Sequence, residues 1–170
     1  NVKKVFDISQ TDAKRQRQPQ VHYDDRLLLS ALIAKRPVPI EMADSVQNGA
    51  VYDYECKTIF VQRGMDGQDL FRSVSLALAR AEMAQQENST PQADAFKSYC
   101  VSYMLCRKYG VDTQGYDFSR LPDELKNAEP QTIRGELTDI RDTLQTMTGK
   151  MVRTLEQSRT AAQKESGKER

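Results

Sequence analysis

Residues 50–82, AVYDYECKTIFVQRGMDGQDLFRSVSLALARAE, decide the fold class, because two β-prone runs are followed at once by a helical pattern. The runs 50–54 and 58–61 are rich in β-branched and aromatic residues. Only the short interval 55–57 separates them, which predicts a β-hairpin. The apolar residues that follow recur at helical spacing and predict one stripe of a helix: Leu70, Val74, Ala77, Leu78 and Ala81.

The chain before this stretch predicts one helix and two further strands. The pair Asp24-Asp25 precedes an apolar run at 27–33, and carboxylates in a first turn are typical of a helix N-terminus. Residues 38–42 have strand character, and Pro39 within them indicates an edge strand. Residues 2–8 alternate loosely and predict another short edge strand.

Two helices are predicted after the central stretch. Pro91 is well placed to open the first, and Gly110 to cap its end. Val101, Met104 and Leu105 lie away from the main apolar face, so this helix is apolar nearly all round and is predicted to be buried. The residues predicted to form its main apolar face are Phe96, Tyr99, Cys100, Tyr103 and Cys106.

Pro130 begins the predicted last helix, whose apolar residues alternate steps of four and three. This heptad-like seam is predicted to dock on the chain's own domain or to meet a partner helix; it consists of Ile133, Leu137, Ile140, Leu144, Met147 and Met151. The predicted organisation is a domain at 1–128, a docked helix at 129–157 and a polar, disordered tail at 158–170. Strands followed by helices predict an α+β fold with a small antiparallel or mixed sheet.

Composition favours a cytoplasmic, non-membrane protein. The chain has 170 residues, 38% hydrophobic residues, a mean hydropathy of −0.69 and a formal net charge of +1. With a net charge this close to zero, the chain as a whole is not attracted electrostatically to nucleic acid or to a membrane surface. No apolar run approaches the roughly 20 residues of a membrane span. It begins with Asn1 rather than methionine, which is typical of a piece cut from a longer protein.

Cysteine and histidine usage argues against a Cys/His zinc site. The three cysteines form no CxxC pair, and His22 is the only histidine. Catalytic zinc uses three protein ligands, so a single histidine falls well short. We expect buried, reduced thiols and no cofactor.

Several stretches resemble the ImmA/IrrE-like zincin domains of antirestriction-type (ArdC-like) proteins from plasmids and conjugative transposons. The segment VFDISQT at 5–11 is similar to the opening strand of those domains. Residues 50–61 and 69–82 are similar to their hairpin and active-site helix. Residues 101–113 and 116–118 are similar to the ligand helix and the turn after it. The resemblance implies a zincin-like fold and a setting in a mobile-element protein.

The resemblance also implies that the metal site is degenerate. The first histidine of the HExxH motif falls on Leu76, the catalytic glutamate on Ala77, the second histidine on Arg80 and the third ligand on Tyr99. Leucine and alanine offer no lone pair, and arginine repels a cation. The phenol of tyrosine holds its proton at neutral pH. We therefore expect no catalysis and no metal.

Two interpretations of the former cleft stay open. In the first, Arg80 with Tyr99 beside it binds a carboxylate or phosphate of a partner. In the second, which is the more common outcome, Leu76 and Tyr99 fill the cleft while Arg80 reaches solvent or pairs with an acid.

Three functions follow from these observations. The first is a non-catalytic interaction domain that binds a protein partner or other domains of a longer mobile-element protein. The alternative is a nucleic-acid-contacting domain that uses the basic residues Lys3, Lys4, Lys14, Arg15 and Arg17. A residual hydrolase with a relocated site ranks third. The oligomeric state is not predicted.

Overall fold

The computed structural model describes residues 23–86, 89–120 and 122–166, with side chains as far as Thr160. These residues form an α+β fold of five α-helices, one 3₁₀ turn and a three-stranded mixed sheet. The helices are α1 (Asp25–Ile33), α2 (Gly67–Met83), α3 (Pro91–Tyr109), α4 (Asp123–Lys126) and α5 (Pro130–Ser166). The strands are β1 (Ile40–Ala43), β2 (Ala50–Asp53) and β3 (Thr58–Gln62), with the 3₁₀ turn at Gln47–Gly49.

The sheet has the order β1-β3-β2, with β2 antiparallel and β1 parallel to β3. The predicted hairpin is therefore confirmed, with Asp53 opposite Thr58 at its turn. Among the described strands, the strand after Pro39 lies at one edge of the sheet, as predicted. The strand predicted at 2–8 lies outside the described residues.

Helix ends form where the sequence places its capping residues. The Asp24 carboxylate accepts the backbone N–H of Arg26 at 2.9 Å, so it caps α1. Thr90 caps α3 ahead of Pro91. Gly110 ends α3 at a φ of 75°, a left-handed conformation that favours glycine.

The buried face of α3 differs from the predicted one. Of the predicted apolar face only Cys106 is fully buried, and Met104 is exposed. The helix instead turns a mixed face toward the core: Asp94, Lys97, Ser98, Val101, Ser102, Leu105, Cys106 and Tyr109. Asp94, Lys97, Ser98 and Ser102 are hydrogen-bonded there, whereas the Tyr109 hydroxyl has no partner among the described residues.

The aromatic residues predicted to be buried on α3 are covered by the chain that follows it. Tyr99 and Tyr103 pack against Tyr116 with ring centroids 4.9 Å and 5.4 Å apart, and against Phe118 at 5.2 Å and 4.9 Å. This covering leaves Tyr99 and Tyr103 half-buried. The aromatic part of the predicted apolar face of α3 is therefore covered by the loop that follows the helix and not by the core.

The long helix α5 closes the core against α1, α2 and α3. It continues past the predicted end at 157 to Ser166, so the described part of the predicted tail is helical. Glutamine, arginine, alanine, lysine and glutamate dominate that part, and these residues favour helix without needing a core.

The predicted seam of α5 is buried only over its second part. Ile140, Met147 and Met151 are buried and Leu144 is half-buried, but Ile133 is 39% exposed and Leu137 is 59% exposed. Ile133 and Leu137 lie on the same face of α5 as the buried Met151 and Leu155, but at the start of the helix this face borders Phe96 of α3 and Leu125 of α4 in an open groove. Beside it, Lys97 of α3 pairs with Glu136 and Asp139 of α5.

The predicted burial of the cysteines is wrong for Cys56, and no disulfide joins any two of the three cysteines. Cys56 is exposed in the turn between β2 and β3, where the Asp53 carboxylate accepts the N–H groups of Glu55 and Cys56. Cys100 is half-buried and Cys106 is buried.

Candidate functional site

The four positions that the resemblance assigns to a metal site lie on two helices, with Leu76, Ala77 and Arg80 on α2 and Tyr99 on α3. Ala77 is fully buried, while Leu76, Arg80 and Tyr99 are half-buried. Each of these side chains is aliphatic, cationic or phenolic, so none is an ordinary zinc ligand at neutral pH. Among the described residues no three His, Cys, Asp or Glu side chains are grouped closely enough to hold a metal ion.

Arg80 and Tyr99 have different partners. Arg80 Nε donates to Ser98 Oγ at 3.4 Å. The Tyr99 hydroxyl accepts the backbone N–H of Asp117 at 2.7 Å, and its ring packs in the aromatic cluster described above. The hydrogen bonds of the described residues therefore do not join these two side chains in one anion-binding site.

Near Arg80 the chain buries an ionic cluster. Asp94 is 1% exposed and accepts hydrogen bonds from the hydroxyls of Tyr54, at 3.2 Å, and Ser89. Lys97 Nζ lies 3.8 Å from Asp94 Oδ1. The cluster thereby connects the turn between β2 and β3 to the first turns of α3.

The cluster extends from α3 to α5. Lys97 Nζ lies 2.9 Å from Asp139 Oδ2 and 3.9 Å from Glu136 Oε1. Burial on its own lowers the pKa of Lys97, but the hydrogen bond to Asp139 and the nearby carboxylates raise it above its usual value. Lys97 therefore stays charged, and this cluster works as a structural clamp.

Burial also raises the pKa of the Tyr54 hydroxyl, and the negative charge of Asp94 raises it further. The phenol consequently stays protonated and remains a donor to Asp94. A group held so firmly in its neutral form is a poor nucleophile or base, so Tyr54 serves to satisfy the buried carboxylate.

A second buried cluster contains three hydroxyls and a thiol. Ser102 Oγ lies 2.6 Å from both Ser75 Oγ and the Tyr116 hydroxyl, which is 3.5 Å from Cys106 Sγ. Ser75 and Ser102 also bond to the carbonyl oxygen of Arg72. The described hydrogen-bond partners of this cluster include no imidazole or carboxylate that would remove a proton. Burial raises the pKa of the Cys106 thiol, which makes it less reactive.

An apolar groove lies between the start of α3, α4 and the first turns of α5. One part has a volume of about 490 Å³ and the adjoining part about 130 Å³. Residues of all three helices line the smaller part: Phe96, Leu125, Ile133, Glu136, Leu137 and Ile140. The groove thus contains the two exposed seam residues.

Sequence reasoning missed this groove and the ionic cluster. Phe96 was assigned to a buried face, although it is half-buried in the groove. Leu125 lies in a short, mostly polar segment between Pro122 and Pro130, and local periodicity does not show that it lies beside α5. The spacing of Asp94 and Lys97, three residues apart on a helix, was the one available signal for the cluster.

The basic residues proposed for nucleic-acid contact, Lys3, Lys4, Lys14, Arg15 and Arg17, lie outside the described residues. The nucleic-acid hypothesis therefore stays a prediction. Across the part of the chain that the structure describes, no helix is both long and apolar enough to cross a membrane.

Comparison with known proteins returned no relative. No family model matches the chain, and neither a curated protein nor a solved structure matches it.

Proposed function

We propose that this chain is a non-catalytic interaction domain, a zincin-like relative of metallopeptidases that binds a protein partner within a mobile-element system. The observation that supports the interaction role is the groove between α3, α4 and α5. Ile133 and Leu137 expose apolar side chains there on a helix whose remaining seam is buried or half-buried. Apolar surface grouped in a groove is typical of a protein-binding site.

The proposal that catalysis has been lost rests on the residues at the four former metal-site positions. Leu76, Ala77, Arg80 and Tyr99 stand where the family that the sequence resembles has two histidines, the catalytic glutamate and a third ligand that is often glutamate. Zinc peptidases need those groups to bind the metal and to activate its water. The Arg80 guanidinium, which donates to Ser98, also places a permanent positive charge at this position.

Metal content tests the loss of catalysis. Protein purified without an affinity tag is expected to carry no transition metal and to ignore added zinc in a titration. About one tightly bound zinc per chain would overturn the proposal and make a hydrolase the leading candidate.

A restored variant tests the placement of the motif. The combined change Leu76→His, Ala77→Glu, Arg80→His and Tyr99→Glu rebuilds the ligand set at the same positions. We expect this variant, once circular dichroism shows retained helix content, to bind about one zinc per chain. A folded variant that binds none shows that the motif lies elsewhere.

A further inference from the structure

The groove between α3, α4 and α5 is formed by helices, and this limits what can bind in it. Residues from the start of α3, from α4 and from the first turns of α5 line it. Most backbone donors and acceptors in helices are bonded within the helix. An extended peptide would therefore find no strand edge to pair with here. An amphipathic helix, whose backbone hydrogen bonds are satisfied within the helix, suits such a surface.

The charged residues around the groove indicate which amphipathic helices would bind there. Glu124 and Glu136 are the charged residues that line its two parts. Residues 120–142 contain six acidic and four basic side chains, a net charge of −2. Arg120, Asp123 and Lys126 line an adjoining shallow hollow, where Asp123 and Lys126 pair with each other. Glu136 also lies 3.9 Å from Lys97 Nζ of α3.

We propose that the groove binds an amphipathic helix of a partner protein that carries apolar residues at helical spacing and lysine or arginine at its flanks. This inference rests on the proposed interaction function and specifies the chemistry of the partner. The apolar stripe of the partner covers Phe96, Leu125 and Leu137. Its basic flanks lie against Glu124 and Glu136, where unlike charges favour binding.

Fluorescence anisotropy with two designed peptides of about 18 residues tests the proposal on the full chain. Both peptides share one leucine stripe, and their flanks carry lysine in one and glutamate in the other. We expect the lysine peptide to bind about tenfold more tightly at low salt, and this preference to shrink as salt is raised.

Three variants locate the binding. Leu137→Asp is expected to abolish binding, and Glu124→Lys to weaken the lysine peptide several-fold while strengthening the glutamate peptide. Val152→Asp is the matched control, because Val152 is 36% exposed on the same helix but does not line the groove. It is expected to leave both affinities unchanged.

The outcomes separate this inference from the proposed function. Equal binding of both peptides, lost in Leu137→Asp, overturns the basic partner but keeps the interaction role. If neither peptide binds and the chain sediments as a dimer that Leu137→Asp dissociates, the occupant is a second copy and the inference falls. If neither binds and the chain is monomeric, the inference also falls. The metal measurement tests the loss of catalysis independently of all three.

Discussion

Tyr109 is buried at the end of α3, and its hydroxyl has no hydrogen-bond partner among the described residues. We predict that Tyr109→Phe raises the free energy of unfolding at pH 7 by about 1 kcal/mol, because it removes an unsatisfied polar group and keeps the ring. Urea denaturation measures this change. A loss of stability of similar size would show that the hydroxyl has a partner.

The same tyrosine predicts a pH dependence. Burial raises the pKa of Tyr109 to about 12, whereas an unfolded tyrosine titrates near 10. Between these values the unfolded chain has lost the proton and the folded chain keeps it, so stability falls as pH rises. The stability advantage of Tyr109→Phe over the parent should therefore widen by about 2–3 kcal/mol across this window, since one pKa unit corresponds to about 1.4 kcal/mol. A constant difference contradicts the assignment.

Substitution of Asp94 is expected to destabilise the protein, whereas Tyr109→Phe is expected to stabilise it. Asp94→Ala leaves Lys97 with two of its three carboxylates and strands the hydroxyls of Tyr54 and Ser89. We expect a loss of about 2–4 kcal/mol in unfolding free energy. The control Asp142→Ala breaks an exposed pair with Arg141 and should cost no more than about 0.5 kcal/mol. Equal effects would show that the buried cluster adds nothing.

The apolar residues of helix α5 lie partly in the core and partly in the groove. Leu155 is 3% exposed in the core, whereas Leu137 lies in the groove. We predict that Leu155→Ala lowers the free energy of unfolding by about 2–4 kcal/mol and that Leu137→Ala changes it by no more than about 0.5 kcal/mol. Chemical denaturation compares the two. A large effect of Leu137→Ala would place that residue in the core.

Helix α3 shows why helical periodicity misplaced a buried face. The residues facing α2 include Ser98 and Ser102, whose small side chains also bond to partners in the core. The larger aromatic residues turn toward the loop after the helix. Hydrophobicity ranks a tyrosine above a serine, but it contains no information about which surface covers each one.

At the scale of the whole molecule, α5 is part of the core. It contacts α1, α2 and α3, and it contributes four buried apolar side chains: Ile140, Met147, Met151 and Leu155. We predict that a chain ending at residue 129 loses its cooperative thermal transition and exposes apolar surface to a fluorescent dye. A chain lacking only residues 161–170 should keep that transition. Cooperative unfolding without α5 would show that the helix is merely docked.

The elements of this protein were determined by the sequence, because their signals are local. Periodicity in 50–82 is sufficient for the hairpin and α2, and capping residues such as Asp24 and Gly110 mark helix ends through bonds within a few residues. The α+β class follows from the order of these elements. The sequence alone also shows that Leu76, Ala77, Arg80 and Tyr99 are not ordinary zinc ligands, because ligand chemistry depends on residue type.

Only the tertiary structure decided which faces are covered. The pairing of Lys97 with Glu136 and Asp139 joins residues about 40 positions apart. Ile133 and Leu137 share a face of α5 with the buried Met151 and Leu155, but beside the start of α3 and α4 that face lines the groove. The buried face of α3 likewise depends on its contacts with α2, with α5 and with the loop that follows it. Burial depends on the balance of packing against all neighbours at once, and no local pattern contains that balance.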